Sequence, residues 1–340
     1  MVLHSFCRLE QFHKILRENQ FLEKTNQTVP KTNDSPPDSV NVCCHGKVIL
    51  IGEHAVIYGA KALAMPLLGM SMNLHVRKSI KTKVIIDDKD LTIQLGPLFE
   101  DASEHLKLQK VGYEVQGRST LPLGAGLGSS AALNVGIVRS LSKLWDLNLD
   151  DKTVAELANL LEKRFHGSPS GLDTSVVSFD KPIIFRRDES GHQIQRLNSS
   201  GQFKFAVIDS QKRASTKEMV TKASAFFQRD ESGKKLLEEF ESAADELQDG
   251  LNACLEHKVK SAMTKAYMLL DHIKVIPTGL KSLASDILET GCIAVKPTGA
   301  GGGGCLLALL PSSSEDVAAN RILTTLRNKF GTKNVYEVSL

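Results

Sequence analysis

No apolar run in this chain approaches the roughly 18–20 residues that a membrane-crossing helix needs, which excludes a spanning protein. Neither sign of charge is in excess: 42 basic and 39 acidic residues leave a net +3, well mixed along 340 positions. That balance gives no electrostatic footprint for bulk nucleic-acid binding, while leaving room for a local basic pocket for a phosphorylated small molecule. Metal-cage spacing is missing as well. The six cysteines, Cys7, Cys43, Cys44, Cys254, Cys292 and Cys305, include no C-x-x-C pair, and adjacent Cys43–Cys44 is not a zinc-ligand pattern. The reading is a reducing, cytoplasmic setting with no structural disulfide, so the Asn-x-Ser/Thr triplets at Asn26 and Asn198 are accidental matches. A secretory pattern is absent from the N-terminus, and Glu10, Glu18 and Glu23 do not suit a transit peptide.

Several catalytic signatures are missing too. No G-K-[ST] occurs, so a Walker loop is excluded. There is no D-F-G, and RRD at 186–188 has no catalytic-loop context, which rejects a protein kinase. GSPSG, 167–171, places its serine wrongly for a nucleophile elbow. GAGGGG, 299–304, fits G-x-G-x-x-G in letters, but the strand-like CLLALL follows it where a dinucleotide fold needs a helix.

What is present is a mixture of strand-like and helical segments with 41% hydrophobic and 24% charged residues, the profile of a globular protein. Residues 3–22 carry helical spacing, and 25–40 read as a polar, proline-bearing linker, so the core is expected to begin near Val42. Strands are predicted at 47–51, 74–78, 83–87 and 112–119, with a short helical patch before the last. Helices follow at about 129–146 and 152–165, then strands at 182–186 and 203–209. A mostly helical stretch covers about 214–290, broken by Pro277. Late strands are placed at 293–298, 305–310 and 334–340, with a helix at about 315–329. Without strict β-α-β alternation, α+β in two lobes is favoured over a doubly wound sheet. The expected division is an extension and linker (1–41), an N-terminal nucleotide-binding lobe (42–186) and a C-terminal lobe (187–340).

LPLGAGLGSSAA, 121–132, carries the sharpest chemistry. Gly124, Gly126 and Gly128 alternate with Ala125 and Leu127, and Ser129 and Ser130 stand where a helix begins. Glycines permit close backbone approach, and a helix N-terminus offers free N–H groups, so the segment suits a polyphosphate such as that of ATP. Either serine is expected to cap the helix, and a hydroxyl there reaches a Mg²⁺ on the phosphates. GAGGGG is expected to lie against this first glycine loop. In GKVILIGEHAVIYG, 46–59, Lys47 opens an apolar strand and Glu53 and His54 follow its end, which looks like a pocket rim; a solvated lysine and a core histidine are the plainer readings. Glu162, near the end of the second helix, and Asp173, closing SPSGLD, read as a solvent-facing acid and an N-cap when taken alone. In a phosphoryl-transfer site they supply an acid for Mg²⁺ and an acid for a hydroxyl proton.

With KVILIGEHAVIYG (47–59), LPLGAGLGSSAA (121–132), HGSPSGLDTSV (166–176) and KPTGAGGGGC (296–305) in order, the chain resembles the galactokinase–homoserine kinase–mevalonate kinase–phosphomevalonate kinase (GHMP) superfamily. More narrowly, GEHAV with PSGLD resembles the mevalonate kinase family across about 42–340. The resemblance implies a two-lobed small-molecule kinase with its site in the cleft, and ATP-dependent phosphorylation of the 5-hydroxyl of mevalonate, early in isoprenoid and sterol precursor synthesis. It implies Asp173 as base and Lys47 as charge stabiliser, with Ser130 and Glu162 on Mg²⁺. Backbone at Gly124–Ser129 cradles phosphates, and Glu53, His54 and Thr216 line the acceptor site. The partners so implied are small molecules, with a homodimer left open; control by isoprenoid diphosphates competing at the phosphate loop is a further implication. Phosphomevalonate kinase and a non-catalytic ATP-binding relative are the alternatives. The chain departs from the family pattern at His45, where proline is usual, and at Ala214, where the arginine before the Ser/Thr pair is expected and Arg213 stands one place earlier. Adenine contacts are not identified.

Overall fold

A computed structural model describes residues 37–166, 169–188, 191–198, 203–312 and 317–340. The helical pattern expected at 3–22 and nearly all of the linker lie outside the described residues. From Asp38 to Leu340 the chain forms one compact unit. Its strands are β1 (Ser39–Ile51), β2 (Ala62–Ser79), β3 (Lys83–Ile86), β4 (Lys89–Asp90), β5 (Gly112–Ser119), β6 (Ile183–Asp188), β7 (Gly191–Arg196), β8 (Lys204–Asp209), β9 (Ala294–Thr298), β10 (Cys305–Leu309) and β11 (Val335–Ser339). The helices are α1 (Thr92–His105), α2 (Ser129–Leu144), α3 (Asp151–His166), α4 (Leu172–Phe179), α5 (Thr216–Phe227), α6 (Asp230–Asn252), α7 (Glu256–His272), α8 (Thr278–Leu288) and α9 (Val317–Phe330).

The strands form two sheets. The first has seven strands in the order β4-β3-β5-β2-β6-β7, with β1 paired to β2; the second runs β11-β8-β10-β9. Pairing is antiparallel except between β3 and β5. β1 changes character along its length. Val40, Val42 and Cys44 face inward while Ser39, Asn41 and Cys43 are exposed; from Gly46 onward every residue is buried. Alternation marks a strand with one wet face, and a continuous run marks one covered on both. The change coincides with a register jump: His45 pairs with Ser71, but Gly46 pairs with Leu67. His45 itself bonds Asp180 at 2.8 Å, so the strand passes through this position without proline. Lys47 lies in the half covered on both faces.

α2 buries twelve of its sixteen residues, so it lies inside the protein, against β1 and β2, instead of on its surface. The second sheet has its own core, in which Ile208, Leu306 and Ala308 meet Phe240, Leu270, Leu280, Ile287 and Leu323 from the helices. On α6, Gly233, Leu236, Phe240, Ala243, Ala244, Leu247 and Leu251 recur at the three- and four-residue spacing of a buried helix face.

Polar groups join the two sheets where β1 meets β9. Thr298 Oγ1 accepts from Ile49 N–H at 2.8 Å and donates to Ile49 O at 3.1 Å. Lys296 donates to Glu53, to Pro297 O at 2.6 Å and to Ile49 O at 3.4 Å, with both ends of the ion pair almost fully buried. Burial pushes the Glu53 carboxyl up and the Lys296 ammonium down, and each holds the other's charge against that cost. Lys296→Met removes one partner and should cost about 3–5 kcal/mol in urea denaturation at neutral pH. Lys296→Met with Glu53→Gln should cost clearly less; equal losses would show that the pair does not hold this junction.

Candidate active site

Segments distant in sequence converge on one cavity of ≈ 810 Å³. Lys47, Ile49, Glu53 and His54 line it from β1 and the turn beyond, and Ser129, Ser130 and Leu133 from the start of α2. Glu162 comes from α3 and Asp173 from α4; Ala214, Thr216, Lys217, Gly299 and Ala300 complete it.

The glycine loop presents its backbone and hides its side chains. Gly124, Gly126 and Gly128 line the cavity, while Ala125 and Leu127 are buried beneath. Lys47 N–H donates to Leu127 O at 2.9 Å, fixing the loop to β1. Lys47 also needs the last glycine. A Cβ on Gly128 would stand 2.7 Å from Lys47 Cγ, and its φ of 79° already disfavours any side chain. The second glycine loop lies against the first, as expected from the sequence. A Cβ on Gly126 would meet Thr298 O at 3.2 Å, and one on Gly304 would meet Ala125 O at 2.8 Å.

The serines do not cap. Gly128, which has no side chain to bond with, is the N-cap of α2, and Ser129 and Ser130 are its first two helical residues, at the helix end that suits an anion. Ser130 instead donates to Glu162 Oε2 at 3.3 Å, and Asn134, one turn on, donates to Glu162 Oε1 at 3.0 Å. Glu162 is therefore not solvent-facing; it is buried. Burial first, then the nearby Asp173 charge, pushes its carboxyl up to about 7. An Mg²⁺ ion, smaller than Ca²⁺ and stricter in geometry, is held by one or two protein oxygens plus phosphate oxygens. The Ser130 hydroxyl and Glu162 carboxylate fit that donor set. Among the described residues no cluster of three or more Asp, Glu, His or Cys forms a cage.

Lys47 is not at a strand opening but in the middle of β1, 2% exposed. Its ammonium meets Asp173 Oδ2 at 2.9 Å. Asp173 is the second residue of α4, not its cap; Gly171 occupies the cap with φ 91°. The N-terminus of α4 thus carries the carboxylate toward the cavity with Lys47 beside it, a favourable place for negative charge. Glu53 lines the cavity through an arrangement that the sequence did not reveal: Lys296 holds one oxygen, and Oε2 is buried with no hydrogen-bond partner among the described residues. His54 donates from Nε2 to Ala300 O at 2.9 Å, and burial lowers its pKa to about 4, so it is neutral at pH 7. Thr216 opens α5 after the Ser215 cap and faces the cavity. Lys296 and Asn134 were missed because each acts through another residue, and no local pattern marks that. Ile86, Leu91, Leu95 and Phe165 add an apolar wall.

Comparison with known proteins agrees with this geometry. Residues 97–181 match the GHMP kinases N terminal domain, and residues 234–331 match the GHMP kinases C terminal domain. The mevalonate kinase of Archaeoglobus fulgidus is 30% identical over 269 residues, covering 78% of this chain and 90% of the relative. That of Pyrococcus abyssi is 27% identical over 336 residues, covering 89% and 96%. The crystal structure of L. major mevalonate kinase in complex with R-mevalonate superposes with a TM-score of 0.75 at 23% identity, covering 90% of this chain and 98% of that one. Streptococcus pneumoniae phosphomevalonate kinase, at 18% identity and a TM-score of 0.73 over 88% and 100%, shares the fold. The Lys47–Asp173 pair, the glycine loops and these relatives lead to one assignment: the chain belongs to the GHMP kinases and, within them, to the mevalonate kinase family.

Proposed function

We propose that this protein transfers the γ-phosphoryl group of ATP to the 5-hydroxyl of mevalonate, and that Asp173 is the base. The observation that carries the reading is Lys47 held 2.9 Å from Asp173 on the wall of a cavity roofed by the glycine loop. Asp173 accepts the hydroxyl proton while the hydroxyl oxygen bonds to the γ-phosphorus and the bond to ADP breaks. Lys47 steadies the negative charge on the reacting oxygens. Phosphoryl transfer needs positioning and charge neutralisation more than covalent help, and this pair supplies both. The α2 N–H groups and the backbone from Gly124 to Ser129 bind the phosphates. Ser130 and Glu162 would hold Mg²⁺, which when bound offsets phosphate charge.

Glu53, His54 and Thr216 orient the acceptor, with the unpaired Glu53 oxygen as a hydroxyl acceptor. The apolar wall of Ile86, Leu91, Leu95 and Phe165 receives the adenine. We assign residues 42–198 to the nucleotide-binding lobe and 203–340 to the second lobe, because a boundary after 186 would divide β6 and part it from β7, its neighbour in the first sheet. The free thiols of Cys43, Cys44, Cys292 and Cys305 support a cytoplasmic location, and no helix among the described residues is long and apolar enough to cross a membrane.

Replacing Asp173 with Asn should lower turnover about 10²–10⁴-fold while leaving ATP binding in place. A coupled ADP-release assay with mevalonate, alongside calorimetric ATP titration, checks both; near-normal turnover would overturn the base assignment. A second outcome concerns pH. His54 and His192 are each lowered to about 4 by burial, so both stay neutral in the fold where the unfolded chain takes up protons. Stability should therefore be lost as pH falls from about 6.5 toward 4, with His54 accounting for up to about 3 kcal/mol. Urea midpoints across that range should flatten in His54→Gln; an unchanged slope would show that His54 is not the group responsible.

A further inference from the structure

Arg213 follows β8 and lies outside the cavity wall, yet its contacts end on the loop that forms the wall. Its Nε donates to Leu123 O at 2.9 Å. Its two terminal nitrogens fork onto Asp209 Oδ1 and Oδ2 at 2.7 and 2.8 Å. Asp209 is itself buried at the end of β8 and also accepts from Gln211 N–H at 2.8 Å. The Arg213 stem passes over Gly124, where an added Cβ would meet Cδ at 3.3 Å. The segment carrying Arg213 is tied in turn to the second glycine loop: Ser210 N–H donates to Gly304 O at 3.0 Å, and Gly304 N–H donates to Lys212 O at 2.7 Å.

The two halves of the first glycine loop are secured differently. Ala125 and Leu127 anchor the second half in the core, and Lys47 holds its Leu127 carbonyl. Between buried Leu121 and buried Ala125 the loop has no such anchor: Leu123 is 77% exposed, and glycine follows it. A glycine-bearing segment without buried side chains keeps wide conformational freedom unless something outside fixes it. Arg213 does so with a rigid planar fork seated on Asp209. With Asp209 neutralising its charge and every nitrogen engaged by protein oxygens, Arg213 is not arranged to grip a phosphate directly.

We propose that Arg213 is a positioning residue for nucleotide binding: seated on Asp209, it clamps the Leu123 carbonyl and so pre-organises the Gly124–Gly128 backbone for the polyphosphate. The proposal rests on the reading of that loop as the phosphate site. Its basis in this chain is the placement of arginine one position before the residue where the family pattern expects it, with Ala214 at the cavity instead.

The test compares full-length wild type with Arg213→Ala, Arg213→Lys and Asp209→Asn. ATP and a non-hydrolysable analogue are titrated calorimetrically, and steady-state kinetics are run with mevalonate as acceptor. Arg213→Ala should weaken nucleotide binding and raise the KM for ATP about tenfold, equivalent to about 1.4 kcal/mol, with kcat and the acceptor KM nearly unchanged. Arg213→Lys should not restore affinity, because one ammonium cannot occupy both the Asp209 fork and the Leu123 carbonyl. Asp209→Asn should move in the same direction as Arg213→Ala. An unchanged ATP KM, a rise confined to the acceptor KM, or full rescue by lysine would each overturn the clamp. Hydrogen exchange on the unliganded Arg213→Lys variant reads the loop without catalysis: faster exchange at 123–126 supports the clamp, and unchanged exchange overturns it. Wild-type protein that binds no ATP would overturn the phosphate-site reading, and the exchange result would still decide whether Arg213 orders the loop.

Discussion

Backbone rests directly on backbone where the two glycine loops meet, and the position of every reactive group depends on that contact. Ala125 and Gly126 lie within reach of Thr298 and Gly304 at distances where even a methyl group would force the loops apart. From this contact outward, Leu127 O fixes β1 through Lys47 N–H, Lys47 reaches Asp173, and α2 points its first turn into the cavity. A displacement of the second loop would therefore reach the phosphate site without touching any residue that contacts substrate. Such transmission is expected of a close-packed interior, where neighbours shift together.

Charge in the site is arranged in neighbouring opposites. Lys47 faces Asp173, Lys296 faces Glu53, and Arg213 faces Asp209, each pair joining segments far apart in the chain or turning a loop back on itself. Glu162 also accepts from a hydroxyl and an amide, those of Ser130 and Asn134. Dipoles fixed before substrate arrives need little reorganisation during reaction, which is the advantage of building the site from pairs already formed.

Much of the fold could be read from sequence because local signals agreed with tertiary demands. GYEVQGRS alternates and becomes β5 over the same residues, Gly112–Ser119. The breaks around Pro277 separate α7 from α8. Other elements were obscured for identifiable reasons. β2 begins at Ala62, before the 74–78 run, because ALAMPLL is apolar on both faces and carries Pro66, neither of which reads as an alternating strand. TSVVSF, rich in β-branched residues and serine, forms α4 because burial against α2 and α3 overrides local preference. β7 is polar and exposed and gives no hydrophobic alternation. The site's chemistry was legible as glycines and acids in characteristic segments. Its supports were not: the spacing of letters does not reveal that Lys296 reaches Glu53 or that Arg213 reaches Leu123.

The bond from Ile49 to Thr298 spans 249 positions of chain. Contacts so distant in sequence form late and slow folding, because a long loop must close before the contact repays it. Residues near the start of the compact unit, Lys47 among them, thus wait for a partner strand that leaves the ribosome only when most of the protein has been made. The cavity cannot exist on a nascent chain. Until β9 arrives, β1 presents an inward-facing lysine and a run of bare apolar residues, and the burden of keeping them apart from other chains falls on the earlier helices or on cellular chaperones.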